Sequence, residues 1–284
     1  MSDSSRKPTA DAMHEPGLSE EDARGKMAEV PGPPTFNDKQ QEREYQKSRL
    51  ALAFRIFARL GFDEGVAGHI TLRDPVEPHT FWVNPFGVPW PTLRARDLIR
   101  VGKGGRVIEG GEVKLLNTAA YMIHHAVHEA RPDVNAVAHS HSIYGRAFCA
   151  LGRSIDMISQ DSCAFHNDIA VYKHFKGIVL ADDEGLAIAE ALGQSKAALL
   201  QNHGLLTCGE TVEETVFWFM SLEKCCHVQL MAEAAAGSRG ETPILIHDED
   251  AAFTKKSVGT PQAGWFSAMP TFDLLEAESG GEIF

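Results

Sequence analysis

Apolar residues first recur at helical spacing between Asn37 and Leu60. Leu50, Phe54, Phe57 and Leu60 fall on one stripe, Asn37 stands where a cap belongs, and Gly61 stops the run. The pattern then breaks into short alternating stretches. His69–Arg73, Phe81–Asn84, Leu98–Val101 and Arg106–Glu109 are separated by Gly, Pro and Asp, which predicts sheet strands joined by turns. Helical spacing returns over Asn117–Ala130, where Ala120, Ile123, His124 and Val127 share a face ahead of Pro132. An apolar run from Val134 into His139–Ser140–His141 reads as a buried strand. Helices near Ser142–Leu151 and Asp183–Leu192 and a strand over Ala197–Gln201 follow. The last long helix opens on Thr211–Val212–Glu213–Glu214, a capping box, and carries Phe217, Leu222, Val228 and Leu230 to the region of Ala236.

Short strands alternating with helices predict a mixed α/β layered domain over residues 35–240. Residues 1–34 are polar, rich in Ser, Pro and acidic residues, and read as a disordered or draped arm. The tail, 241–284, mixes acidic residues with Trp265, Phe266, Phe272 and Leu274. Those aromatics predict docking on the body or on a neighbouring subunit, although the pattern equally allows a loose drape.

Composition narrows the function classes. A hydrophobic content of 43% in 284 residues supports a sizeable core, and a formal net charge of −12 argues against nucleic acid or an anionic membrane surface as partner. The first residues lack the apolar stretch of a signal peptide, and no run of eighteen apolar residues occurs. Cys149, Cys163, Cys208, Cys225 and Cys226 are odd in number and lie in apolar surroundings, so they read as reduced buried thiols of a cytoplasmic protein.

The candidate chemistry lies in the histidines. On a strand, residues two apart point to one side, so His139 and His141 can face a common pocket. Neutral imidazole is a ready ligand for a divalent first-row metal, and His203 in Gln201–Asn202–His203–Gly204 is the third candidate. A single histidine is more often a surface or satisfied core residue, and spacing alone goes no further.

From Glu42 to Ala236 the chain resembles the class II aldolase/adducin family. The matching stretches are Gly65–Val66–Ala67–Gly68–His69–Ile70–Thr71, Asn84–Pro85–Phe86–Gly87, Arg131–Pro132–Asp133 leading into His139–Ser140–His141, and Asn202–His203–Gly204–Leu205–Leu206. The resemblance implies a three-layer α/β/α sandwich, usually tetrameric, with active sites at subunit boundaries. It also implies that His139, His141 and His203 hold zinc, with iron(II) as the alternative. Adducin, a cytoskeletal relative, has lost the metal role. Its long basic tail has no counterpart in the acidic Glu276–Glu282 stretch, so a scaffold is the less favoured reading.

The departures bear on the reaction. The family's catalytic glutamate falls on Ala120 when carried back from His139 without gaps, the nearest upstream carboxylate being Glu112. Its phosphate-binding Asn and Thr fall on His69 and Phe86, and its proton-donating tyrosine falls near Gln160. A phenyl ring cannot donate to a phosphate, so phosphosugar cleavage is not expected. The same branch resembles bacterial non-haem iron oxygenases that cleave prenylated aromatic 2-oxo and 2-hydroxy acids. Phe86, Trp90, Tyr144 and Phe165 would suit such a substrate, ordinary core packing being the competing reading. The expectation is a metal-dependent carbon–carbon lyase acting on an unphosphorylated, hydrophobic or aromatic small-molecule oxo or hydroxy acid, with the iron oxygenase as alternative. Asp161, His69 and His124 are the candidate bases, and Asn84, Phe86, Gly87, Tyr144 and Gln160 the candidate substrate contacts.

Overall fold

The first helix, α1 (Lys39–Arg59), starts one residue later than its sequence suggests. Asp38, not Asn37, is the cap, its carboxylate accepting the Gln40 N–H at 2.8 Å. Leu50, Phe54 and Phe57 are fully buried, whereas Leu60 has become the exposed C-terminal cap ahead of Gly61 at φ +74°. The computed structural model describes residues 30–175, 177 and 182–283. The arm expected over residues 1–34 lies almost wholly outside the described residues, as does the side chain of Ala120.

Eight strands form one sheet: β1 (His69–Arg73), β2 (Phe81–Val83), β3 (Ile99–Gly102), β4 (Arg106–Gly110), β5 (Ala136–Ser140), β6 (Ile169–Tyr172), β7 (Ala197–Leu200) and β8 (Gly204–Gly209). Their order is β4-β3-β2-β1-β5-β8-β7-β6, antiparallel except for the parallel pair β6 and β7. The intervening helices are α2 (Thr118–Ala130), α3 (Ile143–Cys149), the one-turn α4 (Gln160–Cys163), α5 (Asp182–Leu192), α6 (Val212–Gly237), α7 (Asp248–Val258) and α8 (Pro261–Glu278).

Strand alternation decides which layer each side chain enters. On β5, Ala136 and Ala138 face the larger core, shared with Phe54 and Phe57 of α1, Phe148 of α3, Trp218 and Phe219 of α6 and Phe272 of α8. Val137 faces the opposite core, formed with Ile123 and Val127 of α2 and Ile188 of α5. Helices therefore cover both faces of the sheet, which makes the α/β/α sandwich. His139 shares the α2 side with Val137.

The tail is helical and packed. Thr260 caps α8 by accepting the Ala263 N–H at 3.1 Å, and Trp265, Ala268 and Phe272 are buried while Phe266 and Leu274 stay exposed. Arg49 of α1 lies over the Phe272 ring at 4.6 Å and pairs with Glu213 and Glu276. The capping box of α6 is only half made. Thr211 accepts the Glu214 N–H at 3.2 Å, but Glu214 turns away to accept from Glu210 N–H and from the Trp218 indole, each at 2.9 Å. All five cysteines are free and buried. No helix among the described residues is long and apolar enough to cross a membrane.

Candidate metal centre

β5 lies between β1 and β8, with His139 directly opposite His69 on one side and Leu206 on the other. His139 is buried, and its Nδ1 lies 2.8 Å from the Leu205 carbonyl, so Nδ1–H donates there and Nε2 keeps its lone pair. His141 follows one residue beyond the strand's end. His203 comes from the turn between β7 and β8, where Leu200 pairs with Gly204 and Asn202 sits at φ +58°. Asn tolerates that left-handed conformation better than most residues. Gly204 is required by space, because a Cβ there would lie 2.6 Å from the Ser140 carbonyl oxygen and 3.3 Å from His139 Cε1.

The three rings converge. Their centroids are 5.2 Å (His139–His141), 4.6 Å (His139–His203) and 4.9 Å (His141–His203) apart, and one nitrogen of each lies within 4.8 Å of the others. Burial lowers the basicity of all three: His139 falls well below the usual histidine range, His141 falls, helped by the Arg146 charge, and His203 drops to about 4. At neutral pH the cluster is three uncharged imidazoles with lone pairs available. That donor set fits a divalent first-row ion such as zinc or iron(II).

A carboxylate from another helix fixes the segment after His141. Glu223 of α6 is buried and accepts from Ser142 Oγ at 2.5 Å, Tyr144 N–H at 2.9 Å and Gly145 N–H at 2.7 Å. Gly68, just before His69, has φ +88°, and a Cβ there would lie 3.0 Å from both the His139 carbonyl oxygen and the Trp90 ring. The glycine lets the β1 chain approach β5 at the site.

His69 and Thr71 leave β1 on the same face, and His124 and His128 leave α2 four residues apart. The two spacings match across the layer. His69 Nδ1 lies 2.7 Å from His124 Nε2, His124 Nδ1 lies 2.8 Å from Thr71 Oγ1, and Thr71 Oγ1 lies 2.8 Å from His128 Nε2. All four side chains are buried.

The histidine cluster opens into a cavity of about 380 Å³. His69 lines it beside the three ligand candidates, together with Asn117, Asn202 and an apolar wall of Ala67, Ala119, Ile123 and Phe175. Arg146, on α3 and paired with Glu64, is the charged side chain of this lining, and no carboxylate lines it among the described residues.

Several expected site residues lie elsewhere in the chain. His124 stands behind His69 instead of in the cavity lining. Gln160 and Asp161 are exposed on α4 and do not line the cavity. Asn84, Phe86 and Gly87 also lie outside this lining. Asn84 is buried, Phe86 N–H donates to the Leu115 carbonyl at 2.8 Å, and Gly87 turns at φ +85°. That loop borders a separate cavity of about 750 Å³ lined by Pro85, Arg96, Asp97 and Glu112. Tyr144 is exposed and stacks on His227 with centroids 3.5 Å apart. Trp90 and Phe165 are core residues, packed on Phe54 and Trp218 respectively, so core packing accounts for both. Arg146, Asn117 and Phe175 carried no signal as site residues, because each stands alone in a segment whose pattern is otherwise structural.

Three histidines converge at the end of the central strand β5 and the β7–β8 turn of an α/β/α sandwich, a cluster that could hold a metal ion. Residues 48–230 match the class II aldolase and adducin N-terminal domain, and the chain belongs to that family. It is 45% identical over 259 residues to the decarboxylase NovR of Streptomyces niveus, covering 88% of this chain and 93% of that protein. A 4-hydroxy-3-prenylphenylpyruvate oxygenase/4-hydroxy-3-prenylbenzoate synthase of Streptomyces roseochromogenus subsp. oscitans is 44% identical over 261 residues, covering 89% of this chain and 92% of that one. Among solved structures, an L-fuculose 1-phosphate aldolase from Glaciozyma antarctica PI12 superposes with a TM-score of 0.80 at 48% identity, over 88% of this chain and 96% of the other.

Proposed function

We propose that this protein is a metal-dependent enzyme that cleaves a carbon–carbon bond in an unphosphorylated aromatic or hydrophobic 2-oxo or 2-hydroxy acid. The observation that carries the reading is the cavity itself: three convergent neutral imidazoles, one guanidinium and an apolar wall. His139, His141 and His203 would hold zinc or iron(II), and the bound ion supplies Lewis-acid polarisation of a carbonyl or, as iron, access to dioxygen. Arg146 would draw the substrate carboxylate inward, while Ile123 and Phe175 receive its apolar part. His69, which lines the cavity beside the three ligand candidates, would exchange a proton with the substrate.

The name of one relative, a 4-hydroxy-3-prenylphenylpyruvate oxygenase, supports an aromatic acid substrate and an oxidative reaction, and that of another, a decarboxylase, supports carbon–carbon cleavage of an acid. The absence of a carboxylate from the described cavity lining favours this oxidative route as the second reading, since a simple lyase needs a base that the family glutamate would have supplied. The aldolase name of the solved relative favours a sugar phosphate instead. Against that, Arg146 is the single cationic side chain of the lining among the described residues and is already paired with Glu64, whereas a phosphate dianion calls for several donors. The protein is further proposed to be a cytoplasmic tetramer with its sites at subunit boundaries.

Elemental analysis of protein purified without added metal, followed by assays with an aryl 2-oxo acid, an aryl 2-hydroxy acid and a sugar phosphate, tests this. Cleavage of an aromatic acid that survives without dioxygen selects the lyase, and strict oxygen demand with bound iron selects the oxygenase. Turnover of the sugar phosphate alone overturns the proposal.

A further inference from the structure

Arg146, the cationic group of the described cavity lining, has an anion of the protein's own beside it. Its Nη2 donates to Glu64 Oε1, while Nη1 and Nε make no hydrogen bond among the described residues. Glu64 stands outside the lining, but Ala67 and Gly68, which follow it in the same loop, belong to it. Beyond the effect of burial, Arg146 lowers the basicity of His141 and Glu64 raises it, so both charges are felt at the histidine cluster.

The loop that presents Glu64 is tied to the same strand end as the ligand candidates. Phe62 is buried against Phe57, ring centroids 5.3 Å apart, and its carbonyl accepts from Ser140 Oγ at 2.5 Å. Ser140 lies between His139 and His141. Ala67 N–H then closes a turn on the Glu64 carbonyl at 3.0 Å, across Gly65 at φ +61°. An ordinary surface ion pair is weak because both partners wander. Here the backbone under the carboxylate is anchored, and the long Arg146 side chain comes to it.

We infer that Glu64 is a specificity-determining residue that sets the charge selectivity of the cavity. With Arg146 it forms a pair of no net charge, whose remaining N–H groups can still donate to a carboxylate. A monoanion needs those donors and little else. A dianion needs net positive charge, which Glu64 cancels. The energy of a ligand in the field of Glu64 scales with the ligand's own charge, so the penalty on a dianion is twice that on a monoanion, and a neutral ligand escapes it. The bearing on the substrate rests on the proposed function, but the binding order does not.

The test is ligand binding to the full chain, freed of metal by a chelator, at low salt and about pH 8, where a phosphate ester carries two charges. Phenylacetamide, phenylacetate and phenyl phosphate present an aromatic ring with no charge, one negative charge and two. In Glu64→Gln, affinity for the amide should not change. Affinity for phenylacetate should rise about threefold, as for other exposed charge pairs, and that for phenyl phosphate by the square of this factor, about tenfold. Both gains should shrink as salt is added. Glu64→Asp, which keeps the charge, should keep the wild-type order. Equal changes for all three ligands overturn the inference, since damage to the fold would act on all alike. So does a phenyl phosphate gain no larger than that of phenylacetate, or no gain for either anion, including no measurable binding by either protein. If the order holds in a protein that cleaves no aromatic acid, the proposed function falls and this inference stands. Aromatic-acid cleavage without the order leaves the function standing and removes Glu64 from it.

Discussion

Ser142 donates its hydroxyl to Glu223 at 2.5 Å, and through this contact helix α6 holds the residue immediately after a metal-ligand candidate. The same carboxylate takes the Tyr144 and Gly145 N–H groups, so three donors converge on one buried anion. Hydrogen bonds to charged groups contribute about 1.5–3 kcal/mol each, and orphaned buried donors cost a similar amount. Glu223→Ala should therefore destabilise the protein by about 3 kcal/mol, and Glu223→Gln, which keeps one accepting oxygen, by about 1–2 kcal/mol. Loosening the His141 segment should also weaken metal binding about 10–100-fold in Glu223→Gln. Urea denaturation and a competitive chelator titration measure the two effects. A Gln variant with unchanged metal affinity would show that Glu223 serves the helix and not the site.

His141→Ala should lose most bound metal while the fold persists. The ring lies past the end of β5 and is less deeply buried than His139, whose Nδ1 also ties the strand to the Leu205 carbonyl. Removing one of three ligands leaves two imidazoles, too few for a tight site. Metal content per chain, measured alongside far-UV circular dichroism, checks this. Full metal occupancy in the variant would take His141 out of the coordination set.

Much of this site was legible before any coordinates, and the reasons are local. His139–Ser140–His141 ends an apolar strand, and His203 sits between Asn202 and Gly204, a turn signal, so spacing and context mark the three as ligand candidates, and the structure brings their rings together. What stayed hidden depended on contacts across layers. Gln160 follows from an offset along the family pattern and Asp161 from the region it lies in, and neither says which way a one-turn helix faces. Arg146 belongs to a seven-residue helix too short to show a face. β8 was not delimited because its residues are buried on both sides, which removes the alternation a strand needs to be recognised. Pro270 and Gly264 interrupt the pattern of α8, although Thr260–Pro261 was a start signal in plain view. The His69–Thr71 and His124–His128 spacings were visible too, but nothing in a linear sequence places one against the other.

Acid should destabilise the metal-free protein well above the carboxylate range. His128 sits at about 3 in the native state against about 6.5 when unfolded, so between those values the unfolded chain binds the extra proton. A native value lowered in this way means that stability is complete above about pH 6.5 and is lost as pH falls toward 3, at about 1.4 kcal/mol per unit for this ring alone. His69 and His124 are lowered in the same direction by burial, which steepens the loss. Urea midpoints at pH 7.5, 6.5 and 5.5 in the presence of chelator should fall progressively. A midpoint that stays level over this range would mean that these rings are not buried neutral in the native protein.

Arg146 should set both the affinity for an anionic substrate and the acid limit of metal binding. It is half-exposed at the cavity, and its charge presses on His141. In Arg146→Gln the attraction for a substrate carboxylate disappears, which should raise KM about tenfold, the equivalent of about 1.4 kcal/mol, with a smaller change in kcat. Removing the positive charge also lets His141 take a proton more readily. Protons then compete with the metal at higher pH, so the pH at which half the metal is released should move upward. Steady-state kinetics on the acid and on its uncharged amide separate the first effect from general damage, since only the acid should suffer. A chelator-free pH titration of metal release reads the second. If acid and amide lose affinity equally, Arg146 is not the anion receptor, and the carboxylate is held elsewhere in the pocket.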